Sequence, residues 1–274
     1  MFYDKVLESK EYVASQTNVK PKVGIILGSG LGSLVERIDI DKSIPYDDIP
    51  HFPKSRLEGH AGNLVLGTLG NYDVMVMQGR FHFYEGFEMK EVTYPLFVMK
   101  LMGVTHLIVT NACGGINPTF KPGDLMIIDD FINGVSTNPL HGANDERFGP
   151  RFPDMSEPYN LDFRKVATKV AKDLDIEYKE GVYAFFQGPY YETRTEISMY
   201  GKWGADAIGM STVPETIVAN YLGFKALGVS VITNMATGLR DGAHSHEEVV
   251  EIANKTSLKL CDWVEKILNE DSLN

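Results

Sequence analysis

The chain has 274 residues, with 26 lysines and arginines against 37 aspartates and glutamates, which gives a formal net charge of −11 at pH 7. This length allows one large α/β domain or two small ones with a substantial buried core. The acidic balance argues against a general nucleic-acid binder, which needs a broad basic surface. A single anionic small molecule remains possible, because a few local donors can hold a phosphate inside an acidic protein.

The two cysteines, Cys113 and Cys261, are too few for a disulfide framework, so we expect a reducing compartment, the cytoplasm. Residues 1–17 carry charges throughout and predict an amphipathic surface helix rather than a signal peptide. No apolar run approaches the length needed to span a bilayer, so we expect no membrane contact.

Short apolar runs alternate with amphipathic segments along the chain. Strands are predicted at 23–27, 64–69, 72–77, 106–110, 125–129, 182–186, 207–209 and 229–233, and helices at 92–102, 161–174, 194–203, 214–222 and 246–268. The fourth strand is expected to break at Asn111, and residues 137–159 form a long loop of the kind that usually has a function. The alternation predicts a layered α/β fold whose site lies at the strand ends.

A glycine-rich segment, Gly28 to Gly32, follows the first predicted strand. It does not fit the dinucleotide-binding motif G-x-G-x-x-G, because the third glycine would fall at Ser33. Backbone N–H groups freed by the glycines, together with the Ser29 hydroxyl, suit a small phosphate better. A plain tight turn is the alternative.

The strands at 64–69 and 72–77 flank Gly70 and Asn71, which predicts a hairpin, and a second polar motif follows it. Period-two alternation places Arg80, His82 and Tyr84 on one face of a strand. Arginine is suited to bidentate contact with phosphate, and histidine exchanges a proton near neutral pH. A merely solvated strand face explains the pattern equally well.

Two further segments resemble catalytic motifs but fail in detail. Cys113 has no partner histidine at a defined spacing, which favours a small buried residue over a nucleophile. Residues 209–213 lack the final glycine of a nucleophile elbow, so Ser211, just before a helix, is better placed to bind an anion.

Residues 244–248 contain two histidines and two glutamates but lack the H-E-x-x-H spacing of a zinc site. Ser245 and Glu248 instead predict a capping box that opens the C-terminal helix. We therefore expect no metal here, although His246 at the helix start is placed to reach a substrate hydroxyl.

Taken together, these motifs resemble one family, the trimeric purine nucleoside phosphorylases. The matching segments are 27–32, 59–62, 79–86, 110–118, 138–140, 144–156, 188–193, 204–215, 232–234 and 246–248, in the family's order. The resemblance implies one α/β domain over residues 1–274, with three layers and a mixed, partly barrel-like central sheet flanked by helices.

The resemblance also implies site residues. Phosphate would be held by Ser29, His60, Arg80, His82, Ser211 and the backbone of Ala112. The ribose would be surrounded by Tyr84, Met210, His246 and Phe152, the last from a neighbouring subunit. The purine would be bound by Tyr191, Glu192, Ile208, Gly209 and Asn234. Catalysis would fall to His82, Glu192, Asn234 and His246.

The implied reaction is reversible phosphorolysis of (deoxy)inosine and (deoxy)guanosine to the purine base and α-(deoxy)ribose 1-phosphate, in purine salvage. Orthophosphate is the co-substrate, with no metal or organic cofactor, and the expected assembly is a homotrimer. Two alternatives stay open. Methylthioadenosine phosphorylases have aspartate at the position of Asn234 and lack Glu192, whereas a nucleoside- or NAD-binding module would bind without turnover.

Overall fold

The elements come from a computed structural model that describes residues 1–54, 62–240, 242, 245–270 and 273. Its helices are α1 (Phe2–Ser15), α2 (Met89–Val92), α3 (Tyr94–Met102), α4 (Leu161–Asp173), α5 (Arg194–Lys202), α6 (Val213–Tyr221) and α7 (His246–Ile267). Its strands are β1 (Val23–Ile26), β2 (Asp39–Pro45), β3 (Asn63–Leu69), β4 (Tyr72–Gln78), β5 (His106–Gly115), β6 (Leu125–Asn133), β7 (Tyr178–Phe185), β8 (Ala207–Gly209) and β9 (Lys225–Met235).

The described strands form one sheet in the order β2-β3-β4-β1-β5-β8-β7-β6-β9, and β5 also pairs with β9. This extra pairing closes β5, β8, β7, β6 and β9 into a ring, while β2, β3, β4 and β1 extend from it as an open sheet. Parallel pairs such as β1–β5 stand beside antiparallel pairs such as β3–β4. The expected mixed, partly barrel-like sheet is confirmed.

Both faces of the open sheet are covered by helices, which gives three layers. In β4, Val74 and Val76 belong to a core that includes α4 and α7, whereas Met75 and Met77 belong to a core that includes α1, α3 and α6. Such two-sided burial is expected of strands with near-continuous apolar sequence. In the residues that the structure describes, no helix is long and apolar enough to cross a membrane.

One sequence prediction about the strands is wrong, and one strand was not predicted. The strand expected to break at Asn111 continues to Gly115, because residues 111–115 pair with β9 and the last two also pair with β8. The edge strand β2 was missed because Ile44 is its one buried residue, so the sequence carries no alternation there. The predicted hairpin of β3 and β4 is confirmed.

The segment after β4 also differs from the prediction. Strand β4 ends at Gln78, and Phe83–Glu85 form a short 3₁₀ turn rather than a continued strand. The turn is held by Glu85, whose carboxylate accepts the backbone N–H of His82 at 2.8 Å. Residues 80, 82 and 84 therefore do not belong to a strand, and the prediction that strand alternation places them on one face is wrong.

Candidate active site

The carboxyl ends of four strands meet at one edge of the sheet. Strand β1 runs parallel to β4 and β5, and β5 runs parallel to β9, so the segments that follow them converge. A cavity of about 120 Å³ lies there. Its lining comprises Gly28, Ser29, Arg80, His82, Tyr84, Asn111, Ala112, Cys113, Gly114, Tyr191, Glu192, Ile208, Gly209, Met210, Ser211, Thr233, Asn234, Ala236, His246 and Val249.

A second cavity, of about 400 Å³, adjoins the first. The two share five described residues, namely Gly28, Ser29, Arg80, His82 and His246. The carboxylate of Glu192 and the amide of Asn234 belong to the first cavity alone. Ser29, Arg80 and His82 thus lie between the two cavities, with the Glu192 carboxylate and the Asn234 amide on one side of them.

The lining contains every site residue named from the sequence except two. His60 lies outside the described residues. Phe152 has 86% of its surface exposed, and its ring centroid lies 5.4 Å from the Arg151 guanidinium. Phe152 is therefore largely unpacked within its own chain and does not line the cavity.

Gly28 brings the first loop against strand β5. A Cβ atom at this position would lie 2.7 Å from the Asn111 Cα, so a side chain cannot be accommodated. The Thr110 hydroxyl accepts the Gly28 N–H at 3.1 Å and donates to the Ile26 carbonyl at 3.1 Å. These contacts fix the position of the loop that carries Ser29.

Arg80 is buried at the junction of the two cavities, and its terminal nitrogens are bonded within the protein. Nη1 donates to Thr212 Oγ1 at 3.2 Å and to Glu215 Oε1 at 3.3 Å. Nη2 donates to the carbonyls of Ile26 and Thr110. Nε has no hydrogen-bond partner among the described residues. A bidentate contact with an anion through both Nη atoms would require some of these bonds to be exchanged.

His82 is oriented by Glu85. His82 Nδ1 lies 3.2 Å from Glu85 Oε1. Because an ionised carboxylate only accepts, Nδ1 carries the proton, and Nε2 is left for a ligand. The His82 ring stacks on Tyr84 with centroids 4.8 Å apart. Burial raises the pKa of the Tyr84 hydroxyl to about 12, so it stays protonated and can donate.

The carboxyl group of Glu192 is buried, with 6% of the residue exposed. Burial raises the pKa of this carboxyl to about 7, so its charged and neutral forms are both populated near neutral pH. A buried acid in a cavity with such a pKa is typical of a functional site.

Asn234 follows a β-bulge. In the register of β5 with β9, Cys113 pairs with Ile232 and Gly114 pairs with Asn234, so Thr233 is the extra residue. The Thr233 hydroxyl lies 3.0 Å from Asn234 Oδ1, which accepts from it, and Asn234 Nδ2 donates to the Met235 carbonyl at 3.2 Å. Bulges commonly redirect side chains next to active sites.

Several site residues were missed by the sequence reasoning. Glu85, Thr212, Thr233 and Glu215 each bond to a residue of the lining, and Asn111, which lines the cavity itself, donates to Thr212. The one available signal was Glu85, three positions after His82, which is the spacing of a capping box. The contacts that identify the others join segments far apart in the chain: Asn111 with Thr212, Arg80 with Glu215, and Thr233 with the Cys113 carbonyl.

Cys113 is buried as predicted, whereas the start of α7 carries only half of the predicted capping box, because the Glu248 carboxylate pairs with Arg240. Burial raises the pKa of the Cys113 thiol to about 12, which fits a buried structural cysteine. The Ser245 hydroxyl accepts the Glu248 N–H at 3.3 Å and so caps α7, and His246 follows it into the cavity wall. Within the described part of the chain, no three His, Cys, Asp or Glu side chains are grouped to hold a metal.

Residues 22–269 match the family model of the phosphorylase superfamily. The chain is 50% identical to purine nucleoside phosphorylase 1 of Bacillus subtilis over 97% of this chain and 98% of that protein. It is 44% identical to the purine nucleoside phosphorylase of Bos taurus, over 97% and 94%. A structure of the Schistosoma mansoni enzyme with inosine superposes with a TM-score of 0.93, at 39% identity over 97% and 96% of the chains. Another structure of that enzyme contains adenosine, with a TM-score of 0.93, 40% identity, and 98% and 97% coverage.

Proposed function

Because this chain belongs to the phosphorylase superfamily and, within it, to the purine nucleoside phosphorylases, we propose that it cleaves inosine, guanosine and their deoxy forms with phosphate. The products are the free purine base and α-(deoxy)ribose 1-phosphate, as purine salvage requires. The observation that carries the proposal is the pairing of buried Glu192 and Asn234 in one cavity with Ser29, Arg80, His82 and Ser211.

Phosphate is the nucleophile, and the enzyme positions it. Ser29, Arg80, His82, Ser211 and the backbone N–H of Ala112 are the proposed donors, with His60 from outside the described residues. Donors fixed in advance stabilise charge without reorganising during the reaction. We propose no metal and no organic cofactor, because attack by phosphate on the anomeric carbon calls for neither.

The purine leaves with negative charge on its ring, and the proposed base site receives that charge. The Asn234 amide donates to N7 or O6, where charge accumulates as the glycosidic bond breaks. Ionised Glu192 accepts the N1 hydrogen of hypoxanthine or guanine. The proposed base contacts are Tyr191, Ile208 and Gly209, and the proposed ribose contacts are Tyr84, Met210 and His246. All six line the first cavity.

The proposed assembly is a homotrimer, which follows from the family resemblance. With 86% of its surface exposed, Phe152 is available to cover the ribose of a neighbouring subunit. We also propose a cytoplasmic location, supported by the two unpaired cysteines, Cys113 and Cys261.

Adenosine is the second candidate substrate, for two reasons. The Schistosoma mansoni enzyme has been solved with adenosine, and the pKa of the Glu192 carboxyl is raised to about 7. A neutral Glu192 can donate to adenine N1, which an ionised Glu192 would repel. Adenosine use should therefore increase as the pH falls through 7.

The test measures kcat/KM for inosine, guanosine and adenosine at pH 6 and pH 8, with saturating phosphate. We expect 6-oxopurine nucleosides to be preferred at both values, with the larger preference over adenosine at pH 8. Equal use of inosine and adenosine at pH 8 would contradict the proposed base site.

A further inference from the structure

The link between β8 and α6 contains a strained turn at Thr212. Its φ and ψ are 75° and −48°, and the Val213 N–H donates to the Ser211 carbonyl at 2.8 Å, which closes a γ-turn. Positive φ is unfavourable for a β-branched residue. Strain of this kind persists only where surrounding contacts enforce it, and it is concentrated at functional sites.

The Thr212 side chain supplies those contacts, although the residue is fully buried. Its Oγ1 accepts from Arg80 Nη1 at 3.2 Å and from Asn111 Nδ2 at 3.0 Å. Its third polar neighbour is Ser211 Oγ, at 3.3 Å. One hydroxyl therefore touches the side chains of three residues that line the first cavity.

The direction of these bonds follows from the donor inventory. Guanidinium and amide nitrogens can only donate, so they occupy both lone pairs of the Thr212 hydroxyl. The single hydroxyl hydrogen is then directed at Ser211 Oγ, which accepts it. Ser211 consequently keeps its own proton for another acceptor.

We propose that Thr212 is the positioning residue of the phosphate site, setting the orientation of Arg80 and the proton direction of Ser211. The inference rests on the proposed function, which places phosphate against these two residues. Thr212 is not among the described residues that line the two cavities, so it acts through its neighbours rather than on the ligand. The strained turn is what brings its hydroxyl between them.

The experiment compares hydroxyl removal with hydroxyl retention at the same position. Thr212→Val keeps the β-branched shape and loses the hydroxyl, whereas Thr212→Ser keeps the hydroxyl. Thr93→Val is the matched control, because Thr93 is also fully buried, its hydroxyl donates to the Met89 carbonyl, and neither residue lines the two cavities. Isothermal titration with inorganic phosphate gives Kd for each, and thermal unfolding gives Tm.

We expect Thr212→Val to raise the Kd for phosphate about tenfold or more, as for loss of a hydrogen bond to a charged group. Thr212→Ser should stay within about threefold of the original protein, and Thr93→Val should leave Kd unchanged while lowering Tm. If Thr212→Val does not fold, the Kd for phosphate of Thr212→Ala is compared with that of Thr212→Ser, which measures the effect of the same hydroxyl.

An unchanged Kd in the hydroxyl-free variants, or equal weakening in Thr212→Ser, overturns the inference and assigns Thr212 a purely structural role. The proposed function fails separately, if the original protein binds phosphate but does not cleave nucleosides with it. If the original protein does not bind phosphate, both are wrong.

Discussion

Arg80 Nη1 lies 3.3 Å from Glu215 Oε1, and each of the two side chains is 3% exposed. Glu215 lies on α6 and Arg80 follows β4, so the pair joins two segments that meet behind the cavity. Glu215 Oε2 has no hydrogen-bond partner among the described residues, which leaves the carboxylate dependent on Arg80. Removing one partner of such a pair leaves the other as a buried charge without compensation.

We therefore expect Glu215→Ala to lower the free energy of unfolding by about 3–5 kcal/mol, as for other broken buried pairs. Urea denaturation monitored by circular dichroism measures this. Glu251→Ala is the control, because its carboxylate pairs with Lys255 on the exposed face of α7, where solvent screens the interaction. A Glu215→Ala variant as stable as the control variant would show that the pair carries little energy.

Ser211→Ala and Arg80→Ala should raise the apparent KM for phosphate more than the KM for inosine. Each substitution removes a donor proposed to contact the anion, and a hydrogen bond to a charged group contributes about 1.5–3 kcal/mol. Initial rates with each substrate varied in turn give both constants. A phosphate constant unchanged in both variants would remove these residues from the phosphate site.

Glu192 should make the stability of the protein decrease as pH rises. Burial raises the pKa of its carboxyl from 4.5 to about 7, so the neutral form is favoured in the folded state. This contribution is fully present below pH 4.5 and is lost as the pH rises through 7. Glu192→Gln should therefore gain up to about 3 kcal/mol relative to the original protein between pH 4.5 and pH 8.

Urea unfolding at several pH values tests this expectation. Glu11→Gln, an exposed position on α1, is the control and should keep the original pH dependence. If the difference in unfolding free energy between Glu192→Gln and the original protein stays constant across this range, the carboxyl titrates normally in the folded state and the expectation is wrong.

Selectivity for 6-oxopurines should depend on Glu192 and Asn234. A site built for one hydrogen-bond pattern can reject the wrong one by about 10⁴ or more, since buried groups are left unpaired. Asn234→Asp should reduce the ratio of kcat/KM for inosine to kcat/KM for adenosine, because a carboxyl can accept from the 6-amino group of adenine. Glu192→Gln should lower turnover of inosine far more than it weakens phosphate binding. Values of kcat/KM for both nucleosides check each variant, and an unaltered inosine-to-adenosine ratio in Asn234→Asp would contradict this assignment.

Phe152 should act across a subunit boundary. We expect a homotrimer by analytical ultracentrifugation, and we expect Phe152→Ala to raise the KM for inosine while leaving the Kd for phosphate unchanged. The reason is that the ring would cover the ribose and not the anion. A stable, fully active monomer would defeat both the assembly and this role.

The sequence was sufficient to predict an element wherever the local residue pattern and the tertiary structure favour the same conformation. The two apolar runs that flank Gly70 and Asn71 predicted the hairpin of β3 and β4, which is present, and Ser245 predicted the cap of α7. The small residues from Asn111 to Gly115 predicted a turn, but backbone pairing with β9 and β8, which joins distant parts of the chain, keeps this segment in the strand. The strain at Thr212 and the bulge at Thr233 depend on contacts between distant segments, which no local pattern contains.

Phosphate dependence of nucleoside cleavage tests the central claim most directly. The protein is incubated with inosine in phosphate-free buffer and again with added phosphate, and hypoxanthine and the sugar product are followed by chromatography and phosphorus NMR. We predict hypoxanthine release only when phosphate is present, with α-ribose 1-phosphate formed in equal amount. Release without phosphate would indicate a hydrolase, and no release under either condition would indicate a binding protein; either result would contradict the account.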